Sequence, residues 1–236
     1  HGCVQNVNSR SETLGKINGS LTSLAESLPG TDQVTQRSGS DLAAMLYTSG
    51  TTGKPKGAML SHRGLIANAI ALHDIWGFEP EDILLHCLPV FHVHGLFVAL
   101  HCSMLSASEV IFLNKFEPDT ILDHLPEATV MMGVPTHYIR LLGTSRFDYD
   151  MCAHMRLFTS GSAPMSTLVH EKFQRQTGHR ILERYGMTEA GIITSNPLKG
   201  ERTPGTVGFP LPGVELRVAQ DDRECGIGEL GVVEIQ

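Results

Sequence analysis

Apolar residues in this chain gather in short unbroken runs more than in alternation. "LAAMLY" (Leu42 to Tyr47), "ILL" (Ile83 to Leu85), "VIFL" (Val110 to Leu113) and "VMMGV" (Val130 to Val134) are examples. A strand with one wet face alternates; an unbroken apolar run belongs to a strand covered on both faces. Between these runs lie segments with helical spacing. Ser61 is placed to cap a helix reaching Trp76, with Leu65, Ile66, Ala69, Ile70 and Leu72 on its apolar side. "LFVALHCSMLS", "EPDTILDHLPE", "THYIRLLG" and "STLVHEKFQRQTG" predict four more helices, the last closed by Gly178. Strand and helix in turn predict an α/β fold of mainly parallel sheet flanked by helices.

The texture changes at both ends. Residues 1–40 are polar and rich in Ser, Thr, Gly and Asn, and read as the end of a preceding subdomain plus a connector. Residues 41–202 carry the α/β pattern. From Thr203 onward, "GTVGFPLPGVELRV" and "CGIGELGVVEIQ" read as short strands with Gly/Pro turns, so residues 203–236 are expected to begin a β-rich subdomain. The chain opens on His1 and closes on a strand-like run, which reads as an excerpt of a longer protein.

Composition narrows the partners. The 236 residues are 41% hydrophobic with a net charge of −7, which suits a packed core and argues against nucleic acid as main partner. The five cysteines (Cys3, Cys87, Cys102, Cys152, Cys225) form no C-x-x-C pair, and reduced thiols in a cytoplasmic compartment are expected. No apolar run reaches the roughly 18 residues of a membrane span.

The candidate chemistry begins after "LAAMLY". Thr48 to Gly57, "TSGTTGKPKG", holds three glycines, four hydroxyl side chains and two lysines. Glycines let backbone N–H groups converge on an anion, hydroxyls add donors, and lysines add charge. The Walker A spacing is not met: Thr48 stands where Gly is needed and Pro55 where a metal-binding hydroxyl belongs. A phosphate loop of another kind, between a strand and a helix, is expected.

This loop resembles the signature of the adenylate-forming (AMP-binding) superfamily, which includes the acyl-CoA synthetases. "ERYGMTEA" (Glu183 to Ala190) is similar to its second signature, "SGSAP" (Ser160 to Pro164) to its adenine-side loop, and "PVFHVHG" (Pro89 to Gly95) to the loop beside the acyl pocket. "PGTVGFPLPGVELRV" resembles the segment leading to the next subdomain. Within the superfamily, "HVHGLF", "GVPTHY", "MRLFTSGSAP" and "TSNP" look most like malonyl-CoA or methylmalonyl-CoA synthetases. The implied fold is the large N-terminal domain of such enzymes, with the C-terminal domain absent.

The resemblance implies a ligase that makes an acyl-adenylate from ATP and a carboxylate, then an acyl-CoA, with Mg²⁺ and coenzyme A. Thr48, Ser49, Gly50, Thr51, Thr52, Gly53, Lys54, Lys56 and Gly57 would wrap the ATP phosphates. Thr188 would bond the α-phosphate, and Glu189 would hold Mg²⁺. Gly161, Ser162, Ala163, Glu183, Arg184, Tyr185 and Gly186 would form the adenine side. His92, Gly133, Pro135 and Met187 would shape the acyl pocket, with His92 at its gate. A dicarboxylate needs a cation for its second carboxylate; Arg156, beside "SGSAP", is the expected clamp. His92 and His94 form a His-x-His pair with no recognisable third metal ligand, so polar loop tips are the competing reading.

The superfamily also uses an aspartate, a hinge residue and a lysine that lie beyond Gln236. The 236-residue piece alone is therefore expected to be inactive or nearly so. Two other readings stay open: an adenylation domain loading a carrier protein, and a truncated non-catalytic nucleotide-binding protein. An aminoacyl version would want an acidic residue in the pocket, and "HVHGLF" and "GIITSNP" supply none.

Overall fold

A computed structural model describes residues 29–30, 33–48 and 56–236. Five parallel strands form its centre: β3 (Ile83–His86), β4 (Glu109–Phe112), β5 (Val130–Gly133), β6 (Leu157–Ser160) and β7 (Leu182–Met187). Their order in the sheet is β4-β3-β5-β6-β7, followed by β8 (Gly191–Ser195) and β9 (Phe209–Pro210), which run antiparallel. The sheet is thus mixed: "GIITS" folds back on β7 as a hairpin.

Successive residues of the central strands enter different cores, as unbroken apolar runs require. Leu85, Met131 and Phe158 pack with Tyr138, Phe147 and Phe173 on one face. Leu84, Val130, Met132 and Leu157 pack with Leu72, Trp76, Val98 and Cys102 on the other. The first face is covered by α3 (Pro118–His124), α4 (Pro135–Leu141) and α6 (Thr167–Thr177). There the rings of Tyr138, Phe158 and Phe173 meet edge-on, with centroids 5.1 to 6.3 Å apart. The second face is covered by α1 (His62–Trp76) and α2 (Leu100–Ser106). A short helix, α5 (Tyr149–Cys152), leads toward β6.

The caps follow the sequence. Ser61 Oγ accepts from the Gly64 N–H, and Gly77 closes α1 in a left-handed conformation. Ser166 caps α6, and Gly178 ends it at φ 78°. On α1, Ala69, Leu72 and Trp76 are buried, but Ile66 and Ile70 are exposed. The expected apolar side is therefore narrower: residues at 69, 72 and 76 share one face, and 66 and 70 fall beside it.

The expected strand–loop–helix around the phosphate motif contains another strand. β1 (Leu42–Thr48) pairs antiparallel with β2 (Lys56–Ser61), forming a separate two-stranded ribbon that leads directly into α1. A third sheet, antiparallel, joins β10 (Leu216–Gln220), β11 (Arg223–Glu224) and β12 (Val232–Ile235). The four cysteines among the described residues are free, and no helix is long and apolar enough to cross a membrane.

Candidate active site

A cavity of about 470 Å³ opens where the parallel strands end. Leu88 follows β3, Val134 follows β5, Ser162 follows β6, and Arg184, Gly186 and Met187 belong to β7. Crevices at the carboxyl ends of such strands are where α/β proteins bind ligands. The opposite wall is the Pro89–Gly95 loop, which passes into a π-helical stretch, His94–Ala99. π-turns of this kind are rare and recur at functional sites.

Arg184 governs the electrostatics of this cavity. It is 5% exposed. Burial lowers its pKa to about 10, so it remains a cation at neutral pH. Its Nε and Nη2 have no hydrogen-bond partner among the described residues. A buried cation without a counter-ion is costly, and an anionic ligand is its natural complement. Backbone geometry makes the room: a Cβ on Gly161 would collide with the Arg184 guanidinium. The neighbouring Ser162 adopts φ 67°, a left-handed conformation unusual for a non-glycine residue. Its hydroxyl lies 3.4 Å from His94 Nδ1.

Four histidines line or flank the site. His94 is buried, with Nε2 unpartnered. Burial first, then the Arg184 charge and the neighbouring His86, His137 and His92, hold its pKa well below the usual imidazole value. Burial depresses His86 and His137 to about 4 each. His137 stacks on Phe116 with ring centroids 4.0 Å apart. All three are neutral near pH 7. His92 is exposed at the cavity edge.

Most expected site residues that are described converge here. His92, Ser162, Arg184, Gly186, Met187 and Thr188 line the cavity. Gly161 lies under Arg184, and Gly133 and Pro135 form the buried β5–α4 junction. Ala163 and Tyr185 are exposed. Glu183 is buried and turned away, its Oε1 accepting the Gly205 N–H. Glu189 is exposed in the turn between β7 and β8, beside a second cavity of about 200 Å³. Thr48, Lys56 and Gly57 lie on the β1–β2 ribbon, where Thr48 pairs with Lys56. Ser49, Gly50, Thr51, Thr52, Gly53 and Lys54 lie outside the described residues.

Arg156 is a correction. It precedes β6, at the end of the sheet away from the cavity. Its Nε and Nη2 donate to Asp82 Oδ1 and Oδ2 at 2.8 and 2.6 Å, and Nη1 donates to the Trp76 carbonyl. Asp82 also accepts from Thr129 Oγ1 and the Glu79 N–H. This arginine staples three strand entrances and cannot reach a substrate in the cavity. Sequence reasoning put Arg184 on the adenine side and not as the cation, weighed His94 only as half of a His-x-His pair, and did not single out His137. The usable signal was the position of Arg184 within "ERYGMTE".

The comparisons agree with this geometry. Residues 4–236 match the family of AMP-binding enzymes. A malonate–CoA ligase of Arabidopsis thaliana is 42% identical over 213 residues, covering 81% of this chain and 35% of that protein. ATP-bound MatB from Rhodopseudomonas palustris superposes with a TM-score of 0.89 at 50% identity, over 92% of this chain and 44% of that one. A malonyl-CoA ligase in ternary product complex with methylmalonyl-CoA and AMP superposes with a TM-score of 0.79 at 40% identity, over 88% and 46%. The chain spans less than half the length of these relatives. Within that span the family match is continuous, and the chain belongs to the family of AMP-binding enzymes.

Proposed function

We propose that the protein carrying this chain is an ATP-dependent acid–thiol ligase for a small dicarboxylate, malonate or methylmalonate. The observation that carries this reading is Arg184: a buried cation with two unpartnered donors in a cavity of small-molecule size. A monocarboxylate would use its one anionic group for adenylation and leave Arg184 unpaired. A dicarboxylate brings a second carboxylate that can accept both guanidinium donors. Ser162 and His94 add neutral polar atoms beside it.

The remaining residues suit the family chemistry. Thr188 edges the cavity, where it would donate to the α-phosphate. Glu189 is exposed and without a partner among the described residues, a hard oxygen donor of the type Mg²⁺ takes. Among the described residues no cluster of three His, Cys, Asp or Glu could hold a metal. Bound Mg²⁺ would neutralise phosphate charge as a second anion approaches. His92 at the rim and the π-helical stretch behind it would exclude water from the reacting carboxylate.

The test is a substrate panel on the full-length protein, with pyrophosphate release and acyl-CoA formation as readouts. Malonate or methylmalonate is expected to exceed acetate by about a hundredfold or more in kcat/KM, the worth of two hydrogen bonds to a charged group. Equal turnover of acetate and malonate would refute the dicarboxylate reading. Oxalate, one carbon shorter than malonate, is expected to react poorly.

A further inference from the structure

We infer that Asn68 is a positioning residue that holds the Thr188–Glu189 turn in register with the β1–β2 ribbon. Asn68 lies near the middle of α1, whose N-cap Ser61 is the last residue of β2. Its side chain crosses to the hairpin and pairs with both polar groups of one backbone residue. Asn68 Nδ2 donates to the Ile192 carbonyl at 2.7 Å, and the Ile192 N–H donates to Asn68 Oδ1 at 3.1 Å. An amide side chain offers a donor and an acceptor side by side in this way at neutral pH, where a carboxylate only accepts.

The contact lies at the base of the turn. Ile192 pairs with Gly186, and Gly191 with Met187, leaving Thr188, Glu189 and Ala190 as the connection. Gly191 has φ 70°, and a Cβ there would come within 2.6 Å of Asn68 Oδ1. The amide therefore occupies the place that any larger residue at 191 would take. Ser61, Gly64 and Asn68 form one wall of the smaller cavity, and Thr188, Glu189 and Gly191 form the other. α1 is thus a rigid arm with the phosphate ribbon at one end and the turn clamped at its middle. Within the three-residue turn itself, the Ala190 N–H donates to the Met187 carbonyl.

This inference rests on the reading that Thr188 and Glu189 meet the nucleotide phosphates and Mg²⁺. The experiment compares full-length wild type, Asn68→Ala and Asn68→Asp, measuring affinity for Mg·ATP and for adenosine, which lacks every phosphate. The pH runs from 5 to 8. In Asn68→Ala the Mg·ATP affinity is expected to fall about tenfold with adenosine affinity unchanged, as two neutral hydrogen bonds are lost. In Asn68→Asp at pH 8 the carboxylate faces the Ile192 carbonyl oxygen, and the loss is at least as large. On acidification the protonated carboxyl again offers one donor and one acceptor, and the Mg·ATP affinity recovers relative to wild type. If Asn68→Ala does not fold, the pH series on Asn68→Asp carries the test alone. Equal losses for Mg·ATP and adenosine, or an Asn68→Asp protein with no recovery at low pH, would overturn the inference. Wild-type protein that binds adenosine but gains nothing from Mg·ATP would instead refute the phosphate reading on which it rests.

Discussion

At the scale of single residues, the site depends on Arg184 and the backbone that accommodates it. Gly161→Ala tests this without removing the charge. The new methyl group collides with the guanidinium, so the arginine must move or the loop must shift. The expected result is a malonate KM raised about tenfold, with the ATP KM nearly unchanged, because an interaction with the substrate's far carboxylate is disturbed. A wild-type malonate KM would mean that the guanidinium does not need that place. Arg184 was visible in the sequence inside "ERYGMTE", but periodicity could not say which neighbour its side chain faces. Arg156 stood four residues before "SGSAP", and proximity in sequence suggested proximity in space. A four-residue strand spans roughly 13 Å, which puts its two ends on opposite edges of the sheet.

At the scale of elements, much was legible because local chemistry sets the boundaries. Ser61, Ser166, Gly77 and Gly178 mark helix ends by side-chain and left-handed backbone capping, which require no distant partner. The β7–β8 hairpin was not legible. "GIITS" has no length or alternation to distinguish it, and its pairing with β7 depends on a bulge and on Asn68. The π-helical stretch likewise follows from packing: a Cβ at Gly95 would strike the Pro89 carbonyl. The element most dependent on charge is the Asp82–Arg156 staple. Asp82 is 4% exposed and Arg156 about a third exposed. Arg156→Leu leaves the carboxylate buried and unpaired, and is expected to cost about 3 kcal/mol, the lower range for breaking such a pair. Urea unfolding would show it as a shifted midpoint, while the malonate KM of the folded fraction stays within about twofold. A selective rise in malonate KM would return Arg156 to the substrate site.

At the scale of the whole molecule, most of the unbroken apolar runs gave the parallel sheet and its two cores, since burial on both faces is a property of composition; "LAAMLY" is the exception, forming the largely exposed β1 of the antiparallel ribbon. The placement of chemistry on one edge of that sheet is a property of topology, and only the folded arrangement shows it. Four histidines gather at that edge; His86 and His94 are buried, His137 is half-buried, and these three are neutral near pH 7. Their folded pKa values lie below the unfolded value of 6.5. Between about pH 6.5 and pH 4 the unfolded chain therefore binds more protons, and stability falls as pH falls. The melting temperature is expected to drop by about 5 °C or more from pH 7 to pH 4.5. His137→Gln should flatten part of that slope, and an unchanged slope would contradict the assignment. The central claim remains that the buried cation at 184 selects a second carboxylate. The measurement that reaches it most directly is kcat/KM for malonate and for acetate in wild type and Arg184→Met, a substitution that preserves apolar bulk. The account predicts a loss of about a hundredfold or more for malonate with acetate unchanged or improved. Equal losses for both acids would contradict it, and would return Arg184 to a structural role in the nucleotide site.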